Sequence, residues 1–467
     1  MKRIITTMLI ALQILITQID VSAEELVKAA QVVERGSGNQ STTKVNHVPV
    51  YRQDNTNESE QNTDSKQADQ EANSTGTDNS NTTSSEQQTN EDDVTVFSPS
   101  VEVVPIVKDN DLPDYSVPDI STEQSVPPNP KAQPQMEEAE GLEFIVVHRN
   151  GIMAFAMIAD HEKYKLMPVL ARGHVPGRST VKQMSSSSNA IGAINASYFA
   201  LSGDIYGNTK INGIIAGTTY YTRTSMAINA DGSIFFGRTN YSGRLTFAGK
   251  TIHIGGVDVA RGANSVIIYN KHQGETTGTN DYGTEYVVIN GIITEVYVNK
   301  GNNKIPENGY IISLHGTATE LFKNAKVGDK VIFDESLEDV DGAGDFNRAL
   351  HVVGAGPRLV KNGALYVNVD EEQFPADIRI GRAPRTAIGV TKYGDYIIAV
   401  VDGRQAHSRG CTLQEWAEIL LNDFGAVNAM NLDGGGSTEL VVKGDLVNSP
   451  SDGRERPVAD ALVIIRN

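Results

Sequence analysis

The sequence predicts an α+β fold: a β-rich, mixed-sheet domain with few helices, preceded by a long disordered tail. Three observations carry that prediction. From about Gly141 onward, apolar residues fall in short β-branched or alternating runs, separated by turn pairs such as Asp231-Gly232, Asn290-Gly291, Asn362-Gly363 and Lys443-Gly444. One segment, beginning at Thr412, carries a complete helix signature and has a strand pattern on each side. Residues 24–140 hold almost no apolar side chains to bury.

Taken in chain order, the first residues read as an export signal. Lys2 and Arg3 precede an apolar run from Ile4 to Ile19, and Val21-Ser22-Ala23 offers a small-x-small cleavage site, so residues 1–23 are expected to be removed. The run is shorter than the roughly 20 clean apolar residues a membrane span needs. The mature form is therefore expected to lack an integral span and to be secreted, or held at the cell wall by weak contacts.

Residues 24–140 follow. Gln53–Asp93 is almost entirely Asn, Thr, Ser, Gln, Asp and Glu, and the part up to Pro134 adds many prolines. Such a segment cannot offset the entropy of ordering its backbone, and its prolines favour an extended spacer. Counted along the sequence, Glu24–Glu140 carries 23 acids and 7 bases. It thus accounts for −16 of the chain's net charge of −18. The remainder is close to neutral, with no Lys/Arg stripe to neutralise a phosphate backbone, so a nucleic-acid partner is not expected. The single Cys411 excludes an internal disulfide, a Cys-based zinc finger and an iron–sulfur cluster.

Residues 141–467 are long enough to bury a sizeable core. Strands are predicted at Glu143–Val147, Met153–Ile158, Lys165–Val169, Ile191–Asn195, Ser225–Asn229, Ser233–Gly237, Tyr286–Ile289, Tyr310–Ser313, Lys330–Phe333 and Tyr396–Val401. A helix is expected to begin within Ser179–Met184. The clearest helix starts at Thr412, where Thr412-Leu413-Gln414-Glu415 forms a capping box. Leu413, Trp416, Leu420 and Phe424 share a face, and Gly425 stands where a left-handed cap is wanted. With Tyr396–Val401 before it and Ala429–Leu432 after it, the segment reads as a parallel strand–helix–strand crossover. Asp402 and Asp433 follow the two strands, so both carboxylates are expected on one sheet edge, where open α/β sheets place ligands. A short echo, Arg223-Thr224-Ser225 against Arg385-Thr386-Ala387, suggests two similar β-halves.

Several motifs then occur in a fixed order: Asn195-Ala196-Ser197-Tyr198-Phe199, Gly354-Ala355-Gly356-Pro357-Arg358, Pro384-Arg385-Thr386-Ala387-Ile388-Gly389, Asp402-Gly403-Arg404, Gly410-Cys411-Thr412-Leu413, Asn428 through Thr438, and Asn448 with Arg456-Pro457. This order resembles the phosphodiester glycosidase family over roughly Gly141–Asn467. The resemblance implies a β-rich α+β fold and hydrolysis of a sugar–O–phosphate bond on the sugar side. Cys411 departs from the residue expected at that position of the family.

The chemistry asks for particular side chains. Breaking a sugar C1–O bond develops oxocarbenium charge, which a carboxylate stabilises or attacks. A phosphate leaves readily, so an anion cradle of Arg forks, hydroxyls and backbone amides matters more than a strong general acid. Asp433 is the first candidate for the carboxylate at C1, with Asp402 as its partner or a sugar-hydroxyl ligand. Arg385 and Thr386 are the candidate phosphate clamp, with the amides of Gly434, Gly435 and Gly436, and Ser437 beside them. Asn195 would hold a sugar hydroxyl or acetamido group, and Arg456 is a second candidate cation.

Each has a plainer reading: Asp before Gly as a turn former, Arg385 in a structural ion pair, Asn195 as a turn cap. Glu439 reads as a strand-face residue, and His315 and His351 read as structural. No cofactor is required. Asp339, Asp341 and Asp345 suggest a calcium loop, interrupted by Ala343. Cys411 reads as packing, although its place before a helix cap would acidify a thiol.

The expected partner is a phosphate-linked glycan, such as a cell-wall, capsular or exopolysaccharide polymer. Two alternatives stay open: a phosphodiesterase cutting the P–O bond, and a non-catalytic polysaccharide-binding or assembly protein on the same fold.

Overall fold

A computed structural model describes residues 41–43 and 140–467. The signal segment and nearly all of residues 24–139 lie outside the described residues. Ser41–Thr43 lies as a short strand along the edge of Leu142–Arg149.

Among the described residues there are four sheets. The first has eight strands, all antiparallel to their neighbours, in the spatial order Ser41–Thr43, Leu142–Arg149, Ile152–Ala159, Tyr396–Val401, Arg385–Thr391, Ala426–Asn431, Arg358–Lys361 and Ala364–Leu365. The fourth is a five-stranded antiparallel sheet centred on Gly192–Asn195, which pairs with Leu440–Val442 on one side and Asp460–Arg466 on the other. Period-2 alternation explains how the two pack. Even-numbered Ile388, Val390, Ile398, Val400, Met430 and Leu432 point to a core shared with Ile194, Leu440, Leu462 and Ile464 of the fourth sheet. Odd-numbered Ala387, Ile397, Ala399 and Val401 point the other way, onto the helix Leu413–Asn422.

That helix is held as its sequence requires. Thr412 accepts from the Glu415 amide and Glu415 from the Thr412 amide, which closes the capping box. Trp416 and Leu420 are fully buried, and Phe424 packs edge-on against Trp416 at 6.2 Å. Truncating Trp416 to Ala would cost about 3–5 kcal/mol. Gly425 ends the element at φ 73°, which a β-carbon would disfavour. A second capping box, from Thr180 and Gln183, starts the helix Val181–Ser187 on the outer face of the fourth sheet.

Sheets two and three share a separate core around Phe247, Tyr286, Phe322 and Leu337. One parallel pair occurs among the described strands, Gly256–Val257 with Val266–Tyr269.

The strand–helix–strand unit is present, but its two strands are not neighbours. Tyr396–Val401 and Ala426–Asn431 each pair antiparallel to Arg385–Thr391, which lies between them. They therefore run parallel to each other, one strand apart. Their C-terminal ends still share an edge, and the middle strand begins at that edge: Arg385 lies opposite Val401, and Ala387 opposite Asn431.

Two neighbouring sequence expectations resolve differently. Ser233–Gly237 is only the start of a long strand, Ile234–Phe247. The echo at Arg223 and Arg385 is local: both begin strands, but in different sheets. Among the described residues, no helix is long and apolar enough to cross a membrane.

Candidate active site

Asp433 sits two residues beyond Ala426–Asn431, in the turn that leads to the short helical turn Gly435–Ser437. Its backbone amide donates to the Ala196 carbonyl at 2.9 Å, fixing the turn against the fourth sheet. Its carboxylate accepts from the Gly434 amide at 2.9 Å and from the Ser437 hydroxyl. Asp433 itself is half-buried. Burial raises its pKa to about 6, against the opposing pull of Ser437, Arg456 and the Gly434 amide. The carboxylate that presses on it is Asp460, which is buried, accepts from the amide and hydroxyl of Ser197, and is raised to about 6 by burial. Gly434 and Gly435 use their own amides locally, on Asp433 Oδ1 and the Pro384 carbonyl. At Gly436 a β-carbon would strike the side chains of Arg456 and Asp452, so glycine is what lets that loop close over the turn.

Asp402 lies on the same edge but is buried and fully engaged. It accepts from Asn448 Nδ2 at 3.0 Å, from the Ser449 amide at 3.0 Å, and from His407 Nε2 at 2.9 Å. Burial raises its pKa, against these bonds. Such a carboxylate has no free face for a sugar. What it presents outward is His407, which is exposed. Asn448 also donates to the Thr438 carbonyl, joining this pair to the Gly-rich turn.

The residues read from sequence as the phosphate clamp are placed otherwise. Arg385 is buried, with Nε donating to the Cys411 carbonyl at 3.2 Å and Nη2 to the carbonyls of Ile378 and Gly381. Three carbonyls hold it as a strut between loops, and burial lowers its pKa. Thr386 is buried and donates to Asn195 Oδ1 at 2.8 Å. Asn195 is buried too: its Nδ2 donates to the Asp433 carbonyl at 2.7 Å, while Oδ1 also accepts the Glu439 amide. Asn195 and Thr386 thus tie the two sheets together beneath Asp433. They build the site from behind and do not face it.

The cations that reach this turn stand elsewhere, Arg404 exposed and Arg456 half-buried. Arg456 approaches Ser437 Oγ with Nη1 at 3.4 Å and forms a two-point pair with Asp452 at 2.7 and 2.8 Å. Arg404, at φ 59°, extends beside Gly435, where an added β-carbon would lie 3.5 Å from its Nη1. Two guanidinium groups therefore lie against the Asp433 turn, Arg404 beside Gly435 and Arg456 beside Ser437.

Glu439 lies under this turn, fully buried. Its Oε1 accepts the Arg456 amide at 2.7 Å, while Oε2 has no hydrogen-bond partner. Burial raises its pKa to about 7.

His407 and Arg404 were missed by the sequence reading. Their signal was present: both follow Asp402 within five residues, in a loop broken by Gly403 and Ser408.

The remaining candidates are remote or structural. His315 and His351 each accept a backbone amide with Nδ1, from Asn264 and Asn212. Asp341 is paired with Arg238, while Asp339 and Asp345 accept turn amides. These three acids are spent on the turn and do not converge as a calcium shell. Burial pushes the Cys411 thiol up to about 12, which corrects the expectation of acidification at a helix start and leaves packing as its role.

Residues 282–465 match the sequence model of the family described as phosphodiester glycosidase. The human N-acetylglucosamine-1-phosphodiester alpha-N-acetylglucosaminidase is 41% identical over 104 residues, covering 20% of this chain and 20% of that protein. A prophage-derived uncharacterized protein of Bacillus subtilis, YomE, is 43% identical over 89 residues, covering 19% of this chain and 14% of that protein. The chain thus matches a fifth or less of the length of these two relatives. Among solved structures, a hypothetical protein from Synechocystis superposes with a TM-score of 0.61 at 25% identity, covering 70% of this chain and 62% of that one.

Proposed function

We propose, from the match of residues 282–465 to the phosphodiester glycosidase family model, that the protein is an exported hydrolase that cleaves the C1–O bond of sugar-1-phosphodiesters. The observation that carries the reading is the Asp433 turn. A half-buried carboxylate stands there in a turn against which the guanidinium groups of Arg404 and Arg456 lie, on the same sheet edge as an Asp402–His407 pair.

The roles follow from placement. Asp433 lies beside C1 and stabilises the positive charge that develops as the bond to the phosphate oxygen breaks. Its partial burial strengthens that interaction, and the Gly434 amide and Ser437 hydroxyl keep it ionised near neutral pH. Arg404 and Arg456 hold the phosphate, which leaves as a monoester with the bonding electron pair. Water supplies the new C1–O bond, and His407, oriented by Asp402, takes its proton. Asp402 is a positioning residue in this scheme. Asn195, Thr386 and Arg385 hold the frame.

Export and a cell-wall, capsular or exopolysaccharide polymer as substrate are part of the proposal. The N-terminal Lys2-Arg3, the apolar run and the small-residue cleavage site support export. The acidic, Pro-containing stretch before residue 141 suits a spacer.

A mass-spectrometric screen of the purified protein against sugar-1-phosphodiesters, beginning with N-acetylglucosamine-1-phosphate methyl ester, tests the reading. Release of free sugar and a phosphate monoester is expected. Absence of turnover across neutral, amino and uronic sugars would remove the proposal.

A further inference from the structure

A row of aromatic side chains runs outward from the candidate site and is used by no step above. It begins at Tyr198, whose hydroxyl donates to the Gly356 carbonyl and accepts from Asn431, in the same strand end that leads to Asp433. Burial and, after it, the Asp433 charge raise the pKa of that hydroxyl. The Tyr198 ring packs against Phe374 at 5.6 Å between centroids. The Arg223 guanidinium is sandwiched between Phe374 and Tyr221, 4.1 Å from each ring. Tyr221 packs at a tilt against Tyr220, with ring centroids 4.2 Å apart, and their hydroxyls are 2.8 Å apart.

The row ends on the surface. Tyr220 is 68% exposed, and Tyr206 is 45% exposed on the hairpin that leaves Tyr198. The Tyr206 amide donates to the Tyr198 carbonyl at 2.7 Å, and Leu201, at the tip of the same hairpin, is 69% exposed.

Exposed tyrosines cost apolar area in water, and a cluster of them held rigid by a buried cation is a costly surface to leave bare. Flat rings with hydroxyl rims suit pyranose units, which offer C–H faces to stack and hydroxyls to bond. A peptide groove would instead need an open sheet edge or an apolar helix-wide cleft. The rings are continuous with the reacting centre, so the occupant that fits them is the remainder of the substrate.

We propose that Tyr206, Tyr220 and Tyr221 form a glycan-binding platform that seats further sugar units of a polymeric substrate whose scissile unit lies at Asp433. The inference rests on the glycosidase reading and narrows it: the substrate is a chain of sugars, and the rings discriminate chain from monomer.

The test uses the full-length protein and a Tyr206→Ala/Tyr220→Ala variant. The probes are poly(N-acetylglucosamine 1-phosphate) and its monomeric methyl diester. Because both side chains are exposed, folding is expected to survive, and the melting temperature checks this. The variant should lose about ten-fold or more in kcat/KM on the polymer and less than two-fold on the monomer, as two lost ring stacks imply. Equal losses on both, or none on the polymer, would overturn the platform.

If the wild-type protein cleaves neither probe, the hydrolase reading fails separately. The platform is then judged by calorimetric binding of the polymer. Tight binding by wild type and at least ten-fold weaker binding by the variant supports it, while absent or equal binding overturns it.

Discussion

Replacing Asp402 by Asn changes one atom and removes one charge from a carboxylate that three donors face: His407 Nε2 at 2.9 Å, and Asn448 Nδ2 and the Ser449 amide at 3.0 Å each. An amide has one acceptor oxygen and two donor protons. Asn448 bonds Oδ1 and the Ser449 amide is shared between Oδ1 at 3.0 Å and Oδ2 at 3.2 Å, so an Asn oxygen placed at Oδ1 keeps Asn448 and the shorter Ser449 bond and turns its NH2 toward His407. His407 must then present a lone pair at Nε2, and the imidazolium loses its anionic partner. The lost charge-assisted bond is worth about 1.5–3 kcal/mol, and general acid–base catalysis by a positioned His contributes about 10²–10⁴ in rate. We therefore expect Asp402→Asn to reduce kcat/KM by about 10²–10⁴.

Stability should move in another pattern. Burial holds the Asp402 pKa above its ordinary value, so the folded protein binds that proton more tightly than the unfolded chain. The Asp402 contribution to stability therefore falls as pH rises from the ordinary carboxylate range through the raised value. Asp402→Asn should flatten that fall. The assay is kcat/KM against pH, with the melting temperature taken at each pH. His407→Ala should cost about as much in kcat/KM as Asp402→Asn, and the double variant no more than either, which a purely structural Asp402 would not produce. Activity within three-fold of wild type, or additive losses in the double variant, would refute the reasoning.

Asp433→Asn should fold and lose about 10³-fold or more in kcat, roughly 4 kcal/mol of transition-state stabilisation; the wild-type rise of kcat/KM through about pH 6, where Asp433 ionises, should vanish with it. Arg404→Ala and Arg456→Ala should weaken turnover of phosphodiesters by at least ten-fold more than that of neutral aryl glycosides of the same sugar. Arg385→Ala should instead lower the melting temperature, by the equivalent of about 2–4 kcal/mol, because three buried carbonyls lose their donor. Glu439 keeps its proton up to about pH 7 in the folded protein but only to about 4.3 when unfolded. Its contribution to stability is therefore lost as pH rises between those values, and Glu439→Gln should reduce the decline of melting temperature from about pH 5 to 8.

The sheet edge was legible from sequence because it depends on local signals. A capping box at Thr412, a strand on each side and an Asp-Gly after each strand are short-range features, and they put Asp402 and Asp433 where the chain folds them. The antiparallel strand between them was not legible. Arg385–Thr391 has the same β-branched pattern as its neighbours, and nothing local says where it inserts. The same limit explains Arg385. An Arg and a hydroxyl at a strand start look alike whether they face a phosphate or three carbonyls, and the carbonyls of Ile378, Gly381 and Cys411 come from segments that only the fold brings together. Asn195 was found through its motif, but its burial against Asp433 and Thr386 depends on two sheets meeting. His407 follows Asp402 by five residues, but its meaning appears only once Asp402 is seen to spend its other bonds on Asn448 and Ser449.

Hydrolysis in water enriched in oxygen-18 tests the central claim most directly. The phosphate monoester released from a sugar-1-phosphodiester is analysed by mass spectrometry, since its P–O bonds do not exchange with solvent on the time scale of the assay. Attack at C1 predicts a phosphate product free of the label, with the label in the anomeric hydroxyl of sugar analysed before it mutarotates and exchanges. Label in the phosphate would mean that water attacked phosphorus. In that case Asp433 is not the carboxylate at a reacting sugar carbon.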